Sequence, residues 1–204
     1  MSTTIKVMLA DDQALVRGAL AALLELESDL TVVGEVGDGT EVVAAAVEAK
    51  PDVVLMDVEM PGKDGITATA ELRKAVPGVK VLIVTTFGRP GYLRRGLQAG
   101  AAGFVVKDTP ARELADAVRR VYQGLRVVDP ALATDSLIAG ESPLTARETD
   151  VLRAARGGGT VADIAGELFL SEGTVRNHLS AVIGKTGART RAEAGQIAET
   201  NGWL

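Results

Sequence analysis

Five short runs rich in Val, Ile and Leu, separated by helical patterns, restrict the fold of this chain more than any other feature. The runs are IKVMLA (5–10), TVVGEV (31–36), DVVLMD (52–57), KVLIVTT (80–86) and GFVVK (103–107). They do not alternate polar with apolar residues. A strand that is hydrophobic on both sides must be covered on both faces, as in a parallel sheet between two layers of helices. Helical patterns at 13–27, 39–49, 65–75, 90–99 and 110–122 supply those layers. Five β–α repeats within residues 1–122 predict an α/β domain with a five-stranded, doubly wound parallel sheet.

The rhythm breaks at QGLRVVDPALATDSLIAGES (123–142), which carries Gly124, Pro130 and Gly140 and reads as a linker holding some helix. From 143 to 204 the pattern is of short helices only, a small all-α domain. Ser142–Pro143, then Thr145 with Glu148 three residues on, predicts a helix start with a capping box. Of the 204 residues 47% are hydrophobic and 24% charged, which predicts packed cores. There is no cysteine and a single histidine, His178, so disulfides, thiolate metal sites and multi-histidine metal sites are excluded. The start, MSTTIKVMLADD, has no signal-peptide character, and the apolar runs fall short of the ~18–20 residues that span a bilayer. The expectation is a cytoplasmic protein with no membrane association. The net charge of −5 lies outside the C-terminal part: residues 143–204 carry seven basic and seven acidic side chains.

In a parallel α/β sheet, ligands bind beyond the carboxyl ends of the strands, near the point where strand order reverses. Asp11 and Asp12 follow the first run and Asp57 ends the third. If the first and third strands are neighbours, the three acids crowd one pocket and must either raise a pKa or hold a divalent cation, and an all-oxygen site that meets a phosphate suits Mg2+. Thr85 and Lys107 end the fourth and fifth runs and add a hydroxyl and an ammonium. Each alone has an ordinary reading, such as a helix cap or a solvated lysine. Together they suit phosphoryl transfer with Asp57 as nucleophile, because charge on the transferred oxygens needs cations and donors around it.

ADD after the first run, LMDVEMPGKDG after the third, VTT in the fourth and GFVVK in the fifth resemble the receiver domain of bacterial two-component response regulators. The resemblance covers about residues 4–122 and implies a flavodoxin-like fold. It implies Asp57 as phosphoacceptor, and Mg2+ held by Asp12, Asp57 and the Glu59 backbone carbonyl with help from Asp11. It further implies Thr85 and Lys107 as ligands of the phosphoryl group, and Phe104 as a switch aromatic that turns inward when Thr85 moves. Asp108 stands where many receivers have proline, and a non-proline cis peptide costs about 3 kcal/mol. TTFGRPGYLRRGLQAG (85–100) is similar to regulators paired with membrane-fluidity sensors.

In the C-terminal part, TVADIAGELF, LSEG and TVRNHLSAVIGKTG read as helix, turn and helix, with Ser171 as cap and Val175, Leu179, Val182 and Ile183 as the buried stripe. That leaves Arg176, Asn177 and Ser180 pointing outward, residue types that contact guanine, adenine and phosphate. Between 171 and 191 four basic residues face one acid, enough for a few phosphate contacts. His178 suits packing or a phosphate contact. LTARETDVL, IAGELFLSEGTVRNHL and GARTRAEA resemble the LuxR-type DNA-binding domain over 143–204, so the whole chain resembles a NarL/FixJ-family response regulator. The DNA-contacting set is then Thr174, Arg176, Asn177, His178, Ser180 and Lys185. Gly157, Gly158 and Gly159 depart from the family's single glycine, Val161 replaces a polar residue, and Gly184 interrupts the second helix.

The expected function is a transcription regulator that a sensor histidine kinase phosphorylates on Asp57, and that dimerises and binds double-stranded promoter DNA. The one histidine lies in the DNA-binding helix, so the chain is not its own donor. An aspartate-nucleophile phosphatase is a weaker alternative. Glu59 stands two residues after Asp57 as such an enzyme requires, but Asp57 ends the third run rather than the first. A regulator that works without phosphorylation would be expected to lack Asp57, Lys107 or the acid pair, and all are present. The chain is therefore expected not to be an enzyme beyond its own phosphoryl transfer and dephosphorylation.

Overall fold

The computed structural model describes residues 4–86, 90–139 and 142–204. Residues 87–89 of the TTFGRPGYLRRGLQAG stretch and 140–141 of the expected linker lie outside the described residues. The chain divides into two compact units, the first ending at Thr134 and the second holding Asp135–Leu204, with Pro90 and Gly91 grouped with the second.

In the first unit the strands are β1 (Ile5–Ala10), β2 (Leu30–Val36), β3 (Val53–Met56), β4 (Lys80–Thr85), β5 (Gly103–Val106) and β6 (Val127–Val128). The helices are α1 (Ala14–Glu25), α2 (Val42–Ala49), α3 (Gly65–Ala75), α4 (Pro90–Gln98) and α5 (Ala111–Tyr122). The sheet is parallel throughout, in the order β2-β1-β3-β4-β5-β6. It is doubly wound, and it has six strands rather than five. The sixth is two residues long: the Val127 amide donates to the Ala102 carbonyl at 3.2 Å and the Asp129 amide to the Phe104 carbonyl at 3.1 Å. A two-residue strand has no periodicity to detect, and only pairing with the open edge of β5 makes it one.

The missing alternation in the runs has its cause in two cores, one on each face. Met8, Val54, Met56, Val81, Ile83 and Phe104 face one side, with α2, α3 and α4 residues such as Val42, Leu72 and Leu93. Val7, Leu9, Val53, Leu55, Leu82, Val84 and Val105 face the other, with Leu24 of α1 and Leu114, Val118 and Val121 of α5. The segment expected as linker carries β6 and α6 (Pro130–Ala139).

The second unit holds α7 (Ala146–Arg156), α8 (Val161–Glu167), α9 (Glu172–Thr186) and α10 (Arg191–Thr200). A hydroxyl caps each of them. Thr145 and Thr160 form full capping boxes with Glu148 and Asp163, and Ser171 and Thr190 accept from the amides of Thr174 and Glu193. Because Ser171 is the cap, α9 begins at Glu172, and residues 172–173 of the expected turn are helical. Val175, Leu179 and Val182 are buried as the stripe predicts, and Ile183 is half-buried.

Candidate functional site

The strand order sets β1, β3, β4 and β5 side by side, so residues just past their carboxyl ends share one edge. Asp11 and Asp57 are buried there, 3% and 4% exposed, while Asp12 is open to solvent. Oxygens of the three carboxylates lie within 4.8 Å of one another. Lys107 reaches across from β5, its Nζ 2.7 Å from Asp11 Oδ2 and 2.9 Å from Asp57 Oδ2. The other Asp57 oxygen accepts from the Val58 amide at 2.7 Å, and Asp11 Oδ1 from the Gln13 amide at 2.9 Å. Burial pushes the Asp57 carboxyl up, Lys107 pulls it back by hydrogen bond and charge, and Asp11 adds to the rise, so the net direction is up. Burial also works against the Lys107 ammonium, but its hydrogen bonds to Asp11 and Asp57 outweigh that and raise its pKa.

The chain breaks after Asp57 for reasons of space. A Cβ on Gly65 would sit 1.8 Å from the Asp57 carbonyl oxygen, and Gly62 has φ +69°. Only glycine lets the start of α3 press so closely on the strand end. Asp64 then caps α3 through the amides of Ile66 and Thr67.

The remaining residues are distributed as follows. Thr85 is buried at the end of β4, and its carbonyl accepts from the Lys107 amide at 2.8 Å. Glu59 is exposed, and its side chain accepts from the Tyr92 hydroxyl at 3.3 Å. Phe104 is fully buried, with its ring close under Gly96 of α4. Among the described residues there is no cis peptide, so the Lys107–Asp108 bond is trans. Sequence reasoning missed Arg17 of α1, whose guanidinium donates to the Asp11 carbonyl and pairs with Glu35 at 3.3 Å. No local pattern marks it, since its partners lie on the strand-end loop and on β2.

On α9, Arg176, Asn177 and Ser180 are exposed together, and Thr174 and His178 are half-buried. Arg176 pairs with Glu172 one turn before it. Lys185 sits apart from that group: its Nζ is 2.7 Å from Oε2 of the buried Glu148. Gly158, with φ +81°, makes the left-handed turn that ends α7, which gives one of the three glycines a structural task.

Residues 7–119 match the response regulator receiver domain, and residues 142–198 match the bacterial regulatory proteins of the luxR family. The chain belongs to the response regulators. This regulator is 46% identical to the uncharacterized transcriptional regulatory protein YvfU of Bacillus subtilis (strain 168), over 98% of its own length and 100% of YvfU. It is 42% identical to the transcriptional regulatory protein DesR of the same organism, over 98% and 99% of the two chains. Among solved structures, the response regulator ChrA of a heme-sensing two component system is 35% identical, with TM-score 0.60 and coverage of 98% and 99%. The response regulator thus joins a parallel α/β receiver to a LuxR-type helix-turn-helix DNA-binding domain, and it is not an enzyme in the usual sense. Receivers bind Mg2+ through an acidic pocket, and the all-carboxylate cluster of Asp11, Asp12 and Asp57 fits such an ion. Among the described residues no helix is long and apolar enough to cross a membrane.

Proposed function

We propose that Asp57 accepts a phosphoryl group from a sensor histidine kinase and that this event controls promoter binding by the C-terminal domain. The reading takes 1–122 as receiver, 123–142 as linker and 143–204 as DNA-binding domain. The observation that carries it is the contact of Lys107 with Asp57 at the edge shared with Asp11 and Asp12. A carboxylate oxygen of Asp57 attacks phosphorus in line; the P–O bond forms as the P–N bond to the donor histidine breaks, and the imidazole leaves with the electron pair. Lys107 then turns from the carboxylate to the new phosphoryl oxygens, and the Thr85 hydroxyl donates to another. Asp12, Asp57 and the Glu59 carbonyl, with Asp11, would hold Mg2+, which supplies charge neutralisation on the phosphoryl group. Phe104 is the aromatic that follows Thr85.

Phosphorylation produces a homodimer whose two α9 helices read successive half-sites of promoter DNA, in the cytoplasm. Arg176, Asn177, Ser180, Thr174 and His178 form the contact set, and Lys185 joins it only by leaving Glu148. A DNA-bound role is supported by the exposed polar face of α9. The test is incubation with a small acyl phosphodonor and Mg2+, followed by mass, oligomeric state and DNA retardation. The wild type gains one base-labile phosphate, dimerises and binds more tightly, and Asp57→Asn does none of these. Equal behaviour of the two proteins overturns the phosphoacceptor assignment.

A further inference from the structure

The turn between α8 and α9 holds a residue that folding does not account for. Phe169 has φ +54° and is 95% exposed. The left-handed backbone has a clear cause: Leu168 and Leu170 both turn inward against the core of Val151, Ile164 and Val175, which throws the residue between them outward. The Leu170 amide then reaches back to the Ala165 carbonyl at 2.9 Å. Glycine adopts this conformation without a Cβ clash, and asparagine tolerates it. Phenylalanine is strained there, and a ring left in water gains nothing from burial. Stability favours a different residue at 169, so the use of the ring lies outside the domain.

We propose that Phe169 is a DNA-contacting residue whose ring makes an apolar contact with thymine methyl groups at the wall of the major groove. Phe169 lies two residues before Ser171, the cap of α9. In a helix-turn-helix the amino end of the second helix is the part that reaches base edges, and phenylalanine is among the side chains that meet the thymine methyl. The charges beside the turn are largely matched: Arg147 donates to the Leu168 carbonyl at 3.0 Å and pairs with Asp150 at 3.8 Å, Arg176 pairs with Glu172, and Glu167 is an exposed acid on the α8 side. With those charges largely offset, the ring is the part of the turn that can enter the groove by apolar contact rather than by charge. The inference rests on α9 being the recognition helix.

The test uses the full chain, with and without phosphodonor, and a duplex that the wild type selects from a random-sequence pool. Phe169→Gly suits the backbone, so its melting temperature equals or exceeds that of the wild type. It binds the selected duplex about five- to tenfold more weakly, the scale of one buried apolar contact. Replacing a half-site thymine by deoxyuracil, which removes only the methyl, weakens the wild type by a similar factor and leaves Phe169→Gly unaffected. Wild-type affinity in Phe169→Gly overturns the proposal, and so does a loss that no deoxyuracil replacement reproduces. Unchanged DNA affinity with lost transcriptional output assigns the ring to a protein partner and overturns it as well. If Arg176→Ala weakens binding while Phe169→Gly does not, the recognition-helix reading stands and only this inference falls; if the wild type selects no duplex, that reading itself fails.

Discussion

Single atoms decide the geometry around Asp57. A Cβ at residue 65 would overlap the Asp57 carbonyl oxygen at 1.8 Å, and backbone cannot yield as a flexible side chain can. Gly65→Ala is expected to destabilise the receiver by about 2–3 kcal/mol, the scale of forced overpacking, and to slow phosphoryl uptake; urea unfolding and phosphodonor kinetics read the two effects. Arg17 supports the same edge from behind. Arg17→Leu removes a charge-assisted hydrogen bond to the Asp11 carbonyl and the pair with Glu35, and should cost about 1.5 kcal/mol in the same unfolding assay. Asp11, Asp12, Asp57, Thr85 and Lys107 were legible because each ends a hydrophobic run and parallel strands bring run ends together. Arg17 was not, because it acts on a carbonyl, and backbone acceptors carry no sequence signature.

At the scale of elements, the strands were readable and the second unit's fine structure less so. The run without alternation becomes, in β3 and β4, alternation between two cores, which is why both faces had to be apolar. In the second unit, Glu148 at 5% exposure ties α7 to α9, closing the capping box with Thr145 while it binds Lys185. The capping box is visible as Thr145 and Glu148, three residues apart; Lys185 lies 37 residues from Glu148, too far along the chain for any local pattern to pair them. Burial works against the Glu148 charge, but hydrogen bonds from Lys185 and Thr145 outweigh it and lower the pKa from 4.5. A carboxyl lowered on folding contributes stability above its unfolded value, and that stability is lost as pH falls through the folded value. Unfolding followed by Trp203, the single tryptophan, which packs against the core of Leu144, Leu152 and Val182 in the second unit, should therefore show stability falling as pH drops below 4.5, with a flatter profile in Glu148→Gln. Gly184 lies inside α9 with open space where a Cβ would project. Gly184→Ala is expected to raise the stability of the unit by about 0.5–1 kcal/mol, measured by the same fluorescence.

At the scale of the molecule, the DNA-binding unit has few cations to spare. Arg176, Lys185 and Arg189 pair with Glu172, Glu148 and Glu193, and Arg191 donates to the Gly159 carbonyl. One unit with roughly three phosphate contacts should show a slope of log affinity against log salt near −3, and a dimer on two half-sites about twice that. Joint binding should exceed single half-site binding by about 10²- to 10⁴-fold, checked by anisotropy titrations across salt concentrations. Sequence alone determined the α/β class, the helical second domain, the acid–lysine set and the outward face of α9, because periodicity and strand-end chemistry are local. The tertiary structure decided what depends on a distant partner: the sixth strand, which exists only against the edge of β5; the clasp of Lys107 on two carboxylates; the commitment of Lys185 to Glu148. It also exposed the strained Phe169, since a backbone angle and an unburied ring become properties of a residue only once its neighbours have packed.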